Sequence, residues 1–248
     1  MSSLGLASDR VSTTYKTKNI FFGRFMKLLI WDMRFQMRYG FYLLYTFLTI
    51  FYVLVLTALP EAWKGKTAAI LIFSDPAAMG LFFMGAIVLL EKSQRVTSYF
   101  AVSPVKAFEY VCSKVLSLSA IALIVAGILS KASGCGLLVP ALSGTLLASV
   151  MFTLFGVIVA TKIISLNQFI LFTVPVEMFG FIPAIMHLLG VTPSIFRIYP
   201  ANACMELIGG MGISVVGIFL TIVLIVVLFV IACRCVFKMW QEQGGVKI

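Results

Sequence analysis

The acids that stand inside long apolar runs are where this sequence has chemistry to offer. Glu177 lies between Pro175 and Pro183 within the run 168–190, and prolines there can kink a helix and free backbone carbonyls. A carboxyl at such depth costs at least about 2.5 kcal/mol on insertion scales, so it faces a protein interior or a wet cavity, or is protonated. Two readings follow: a contact for a cationic or amphiphilic solute, or an interhelical hydrogen bond to Asn167, Gln168 or a Ser/Thr. Asp75 precedes Pro76 and reads as a cap over a proline-broken helix or as a path-lining group. Glu206, with Arg197 nine residues before it, either gates an exit or is held in an ion pair. The single histidine, His187, cannot build a bis-histidine haem site, and no His/Cys/carboxylate spacing suggests zinc, so it reads as an interfacial or hydrogen-bonded residue. Cys233-Arg234-Cys235 is not a C-x-x-C motif, and Cys135 and Cys204 could pair only on an oxidising outer side. With no catalytic Ser/His pair and no metal-ligand cluster, an intramembrane enzyme is not the expectation.

The elements that must hold these groups are transmembrane helices. The 248 residues are 61% hydrophobic and 11% charged, with a mean hydropathy of +1.09, whereas a soluble domain carries roughly 25% charged residues. The expected fold class is therefore all-α integral membrane. Six runs meet the length of about 20 residues that a span requires: 41–59, 70–90, 110–130, 139–161, 168–190 and 213–233. Lys114 and Lys131 bound the apolar core of the third and can snorkel to the interfaces. Residues 21–240 form one transmembrane domain, followed by a cytoplasmic tail at 241–248. With the N-terminus inside, fifteen of the nineteen Lys/Arg fall in inner segments and four (Lys64, Lys66, Lys131, Arg197) outside, so both termini are expected in the cytoplasm. Topology and anionic lipid then account for the net charge of +10, and nucleic acid is not needed as a partner. Residues 1–20 contain no apolar h-region, so no cleavable signal peptide is expected, and they are expected to be mobile.

Two polar segments interrupt this pattern. Glu91–Lys114 is a net-basic island between two spans. Within it Val96, Tyr99 and Phe100 recur at helical spacing, which predicts a short amphipathic helix. Ser103-Pro104 reads as an N-cap with proline at the first helical position, starting the next helix. In residues 21–38, Arg24, Lys27, Trp31, Arg34 and Arg38 fall within an arc of about 80° at 100° per residue. Phe22, Met26, Leu29, Met33 and Met37 lie opposite, the pattern of an in-plane helix with its apolar face in acyl chains and its basic stripe toward phosphates. It reads either as an anchor orienting the first span or as part of a partner interface. Phe35 and Leu28 stray onto the charged side, as they would on a face covered by another protein.

An in-plane N-terminal helix, six spans, an amphipathic helix between spans two and three, and a long segment before span six together resemble the ABC-2-type permeases. The local wording is similar as well: Glu91-Lys92 leaving span two, then Ser103-Pro104, then Lys114 entering span three. Val96-Thr97 stands where that family often has Gly-Thr. Ser74-Asp75-Pro76 followed by Glu91-Lys92 is similar to permease subunits of the fluoroquinolone-export type. The resemblance implies a homodimer, or a heterodimer with a related permease, bound to two cytoplasmic ABC ATPase subunits in the inner membrane of a prokaryote. ATP and Mg would sit on the partner subunits and no cofactor on this chain, which has no G-x-x-x-x-G-K-[S/T] loop of its own. By the same resemblance Glu91, Lys92, Arg95, Val96, Tyr99, Phe100, Ser103 and Pro104 form the coupling element, and the 21–38 helix touches the same partner. The cargo would be a hydrophobic or amphiphilic solute (drug-like, lipid-like or peptide) moved outward. The competing expectation is an ATP-independent pore or secondary carrier.

Between spans five and six, residues 191–212 are too long and too apolar for a tight turn. Short re-entrant helices suit the segment, as does a loop lying on the membrane. The aromatics of span one and the Met/Phe cluster of span two fit an amphiphilic cargo or ordinary packing. Gly80, Gly85, Gly127, Gly156 and Gly180 would permit close helix approach.

Overall fold

The computed structural model describes residues 23–74, 79–134 and 138–243, and every regular element among them is helical. The order is α1 (residues 23–38), α2 (Phe41–Ala58), α3 (Glu61–Ile72), α4 (Met79–Ser93), α5 (Val96–Val102), α6 (Ala107–Ala132), α7 (Leu138–Lys162), α8 (Leu166–Leu188), a 3-10 turn (Ser194–Ile198), α9 (Pro200–Gly209) and α10 (Val215–Gln243). Five of them, α2, α6, α7, α8 and α10, are long and apolar enough to cross a membrane. The chain is a multi-pass helical membrane protein.

The second expected span, 70–90, covers the end of α3 and most of α4. α3 begins at Glu61 and closes at Ile72 with a π-type turn at Phe73 and Ser74, and α4 opens only at Met79. Asp75-Pro76 lies outside the described residues. The expected mobile stretch 1–20 and most of the tail 241–248 also lie outside the described residues.

α7 is the spine of the bundle, with α4, α6, α9 and α10 all packed on it. Its buried residues, among them Ala148, Phe152, Leu154, Val157 and Ala160, face several directions, as expected of a helix enclosed by others. Small residues set the closest approaches. A Cβ at Gly156 would stand 2.7 Å from the Leu81 carbonyl oxygen, and one at Gly144 would stand 2.8 Å from the Cys204 carbonyl oxygen. These two glycines let α7 meet the backbones of α4 and α9. Gly127, grouped with Gly156 by sequence, differs: its Cβ would meet only Leu142, at 4.0 Å.

The segment between α8 and α10 holds short helices rather than a surface loop. Residues 201–208 of α9 are all buried, lodged against α3, α7, α8 and α10. Gly210, at φ 63°, ends α9 in the left-handed region that glycine adopts without strain.

The α7–α9 approach generates a prediction. Gly144→Val should lower stability by about 1–3 kcal/mol through overpacking, seen as an earlier melting transition of the detergent-solubilised protein. Gly127→Ala, with open space around it in the middle of α6, should melt no earlier than the parent.

Candidate functional site

The chemistry-bearing residues gather at two opposite ends of the bundle. At the first, the chain passes from α4 through α5 into α6. Arg95 takes φ 58°, the one left-handed residue other than glycine among those described, at a cost of about 1–2 kcal/mol. That turn ends α4 and opens α5. Ser103 ends α5: its Oγ donates to the Phe100 carbonyl at 3.0 Å and accepts from the Val105 N–H at 3.3 Å. This corrects the expectation that Ser103-Pro104 would start the next helix. α6 starts at Ala107, because the Glu109 carboxylate reaches back to accept the Lys106 N–H at 2.9 Å. The serine is turned toward the helix behind it and cannot cap the one ahead.

Beneath α5 lies a buried ionic cluster. The Lys114 ammonium donates to Asp32 at 2.5 Å and also to Glu91. Ser113 donates to the second oxygen of Asp32, and Tyr110 donates to the second oxygen of Glu91 at 2.5 Å. Lys114 is 1% exposed, so the expected snorkelling does not occur. Two carboxylates offer a buried ammonium more than the interface does. The rings of Trp31, Phe35 and Tyr110 lie 5.5, 5.9 and 5.1 Å from its Nζ and add cation–π attraction. α1, α4 and α6 are thus joined at one nitrogen.

Phe100 carries α5 onto this cluster. Its ring meets Trp31 and Tyr110 edge to face and stacks on Trp240 of α10 at 5.8 Å. Thr97 is buried on the same side. On the other face Tyr99 and Val102 are 71% and 82% exposed, while Arg95 and Pro104 are exposed and Val96 is half-buried. Lys92 points inward, donating to the carbonyls of Ala160, Thr161 and Ile163 at 2.7–3.0 Å. It caps the C-terminus of α7, where orphan carbonyls and the helix dipole favour a cation. Of the expected coupling residues, Glu91, Lys92 and Phe100 are therefore internal ties, and Arg95, Tyr99 and Pro104 form the outer surface.

α1 rests on α6. Arg24 pairs with Glu109 at 3.2 Å and donates to the Pro104 carbonyl, Asp32 meets Ser113 and Lys114, and Gln36 donates to Ser117 at 2.8 Å. Its buried face is Leu28, Asp32, Phe35 and Gln36, while Lys27, Trp31, Arg34 and Arg38 are exposed. Phe35 and Leu28 are indeed covered, but this chain's own helices provide the cover. Asp32 had no place in the sequence reading. Its signal was that it is the only acid in a strongly basic segment, one turn from Leu28 and next to Phe35 on the helical wheel.

At the opposite end, the Glu206 carboxylate accepts from Arg197 Nε at 2.6 Å and lies 2.9 Å from His187 Nε2. His187 Nδ1 lies 2.6 Å from Thr192 Oγ1. The network ties α8, the 3-10 turn and α9 together, so the ion-pair reading of Glu206 and the hydrogen-bonded reading of His187 describe what is there. Burial pushes the Glu206 carboxyl up, but the hydrogen bonds and charges of Arg197 and His187 outweigh it and hold the group below its ordinary range. Glu177 is half-buried on α8 and makes no hydrogen bond or ion pair among the described residues. Asn167 and Gln168 stand two to three helical turns away and do not reach it. Asp75 and Cys135 lie outside the described residues; Cys204 is a buried free thiol. Among the described residues no group of three His, Cys, Asp or Glu could hold a metal ion.

Two curated proteins are similar to the chain. Both are named fluoroquinolones export permease protein, from two strains of Mycobacterium tuberculosis. Each is 25% identical over 189 residues, covering 75% of this chain and 80% of the relative. No family model matches, and no solved structure matches. The resemblance to fluoroquinolone-export-type permeases therefore extends well beyond the local motifs.

Both polar nodes can be tested. Lys114→Met would leave two carboxylates buried without their cation and should cost about 3–5 kcal/mol. Combining it with Asp32→Asn and Glu91→Gln removes all three charges together and should recover most of that loss; thermal melting of purified protein reads both. For Glu206, whose folded carboxyl titrates below the ordinary 4.5, the sign is fixed by linkage. The stabilisation is complete above about 4.5 and is lost as pH falls through the lower folded value. Melting temperatures across this window should fall less steeply with acid in Glu206→Gln than in the parent.

Proposed function

We propose that this chain is the membrane-spanning subunit of an ATP-driven ABC-2-type exporter, powered by a separate cytoplasmic ATPase and working as a dimer with itself or a related permease. The carrying observation is the two-sided build of α5. One face, Tyr99 and Val102, is apolar and exposed, and the other is fastened through Phe100 to α1, α6 and α10. A short helix with an open outer face and a rigid inner mounting receives a push from a soluble partner and passes it to several helices at once. In this reading the α5 end faces the cytoplasm, α1 lies at the membrane interface with Lys27, Arg34 and Arg38 toward lipid phosphates or the ATPase, and the α3–α4 segment completes a sixth crossing.

The relatives' names support a drug-like cargo, and we extend it to this chain as a fluoroquinolone-like amphiphile. A groove of about 390 Å³ between α2 and α6, lined by Tyr42, Thr46, Ile50, Ile121 and Ile124 among others, offers apolar walls with a few hydroxyls, which suits such a body. Glu177, half-buried without a partner among the described residues, is the group best placed to meet a cationic centre of the cargo along the path. Asp75 and Glu206 are the other candidates for the path or its gate, Glu206 by releasing Arg197.

The test is co-purification followed by uncoupling. Tagged chain extracted in mild detergent should bring down a Walker-A protein in stoichiometric amount. In proteoliposomes of that complex, Tyr99→Asp should abolish cargo-stimulated ATP hydrolysis while the protein melts as before, since Tyr99 touches solvent. A folded, monodisperse preparation without a Walker-A partner would move the assignment to a self-contained pore or carrier. Normal stimulation after Tyr99→Asp would remove α5 from the coupling role. Glu177→Gln should change the ratio of export rates for cationic and zwitterionic fluoroquinolones, and an unchanged ratio would remove Glu177 from the path.

A further inference from the structure

The node opposite α5 holds the chain's single histidine where it can gain a proton without moving. A carboxylate only accepts hydrogen bonds, so His187 Nε2, 2.9 Å from Glu206 Oε1, carries a hydrogen. Nδ1 lies 2.6 Å from Thr192 Oγ1. It accepts from that hydroxyl in the neutral ring and donates to it in the imidazolium, because a hydroxyl can do either. Both contacts therefore survive protonation, and histidine is the side chain suited to changing charge between about pH 5 and 8.

Few other charges bear on the ring. α8 packs on α4, α7 and α9. α4 and α7 carry their charged residues (Glu91, Lys92 and Lys162) in their last turns, at the other end of the bundle. α10, packed on α9, likewise keeps Arg234, Lys238 and Glu242 near its far end. Glu177 lies ten residues back along α8, nearly three turns away. α3, also packed on α9, carries Lys64 paired with Glu61 at 2.5 Å, and the exposed Lys66. α9 itself brings Glu206, and the 3-10 turn brings Arg197.

Arg197 Nε and His187 Nε2 both meet Glu206 Oε1, at 2.6 and 2.9 Å. Once the ring is charged, two cations share one oxygen. They differ in what holds them. The His187 side chain is 11% exposed, with both nitrogens engaged. Arg197 is 45% exposed on a five-residue 3-10 turn, and its second contact to Glu206 is 3.4 Å long. Water reaches the guanidinium far more than the ring, so the repulsion is relieved by Arg197 leaving.

We propose that His187 is an acid-operated switch, whose imidazolium replaces Arg197 as the counter-ion of Glu206 and frees the 3-10 turn from α9. Its consequence for transport rests on the reading of Glu206 as a gate that opens by releasing Arg197, and it gives that gate a trigger: protons on the outer side. The turn is placed to pass the release on. It packs on α10 as well as α9, and a Cβ at Gly217, in the first turn of α10, would stand 2.5 Å from the Arg197 carbonyl oxygen.

Because His187 is the only histidine, nitrogen-15 histidine labelling of the full chain, without a histidine tag, gives one imidazole to titrate by NMR in nanodiscs. Deuterium uptake of residues 194–198 is measured beside it, with His187→Gln at the same pH so that the chemical exchange rate cancels. The glutamine amide can donate to Glu206 and accept from Thr192, and so stands in for the neutral ring. Parent and variant should exchange alike at about pH 7.5. At about pH 5.5 the ring should be charged, and the parent's turn should exchange about three- to tenfold faster than the variant's, the worth of one hydrogen bond. Arg197→Gln should exchange fast at both. A ring still neutral in acid, or a charged ring with uptake unchanged or slowed, would overturn the switch.

The gate is tested apart from the switch, by transport in proteoliposomes of the full complex with the pH varied on the side away from the ATPase. Acid sensitivity that is lost in His187→Gln supports switch and gate together. A freed turn with transport indifferent to that pH keeps the switch and removes the gate. Equal acid sensitivity in His187→Gln overturns His187 as the trigger.

Discussion

A single buried ammonium organises one end of this protein. Lys114 holds Asp32 of α1 and Glu91 of α4 at once, so three segments separated by tens of residues in sequence share one charge. Removing ions from water is costly, and only close, complete pairing offsets the cost. That requirement makes the arrangement close to all-or-none: if α1 lifts away, two carboxylates and an ammonium lose their compensation together. The aromatic rings around the cluster depend on it in turn, because Trp31 and Tyr110 face both Lys114 and Phe100. The mounting of α5 is therefore only as firm as the salt bridges below it.

The opposite end solves a similar problem with different materials. Glu206 is compensated by a partly exposed arginine and a histidine, and the elements it ties are short. One node is sealed among long helices, while the other joins a 3-10 turn and a ten-residue helix to the end of α8. Between them runs α7, glycine-notched where α4 and α9 come close. The bundle thus has a spine, a sealed node at one end and a half-open node at the other.

How far the candidate site could be read from the chain varies by residue. The amphipathic pattern of 96–102 marked α5, and Tyr99 and Phe100 stood out as its aromatics, but which of them faced outward was not legible. Helical period alone cannot say which neighbour will cover a face. Lys114 had the look of a membrane-flanking lysine and Lys92 of a coupling residue, yet both point inward, Lys92 onto the end of α7 and Lys114 onto two acids. Ser103-Pro104 carried the right residues for a helix start and serves instead as the end of the preceding helix, because Glu109 supplied the competing cap. Asp32 and Trp240 offered little on their own, since their meaning lies in partners 82 and 140 residues away.

By itself the sequence determined the class of the protein, the number of apolar runs, the short helix between two of them, and the presence of short helices before the last. All of these are local: hydropathy, period and capping act over a few turns, and a membrane rewards an apolar run whatever surrounds it. Only the tertiary structure decided which charges would be neighbours, and that α1 would lean on α6 with its acid buried. The reason is that a buried charge is stable only beside its partner. Which partner that is depends on how helices distant in sequence cross, and on where small residues let them come close.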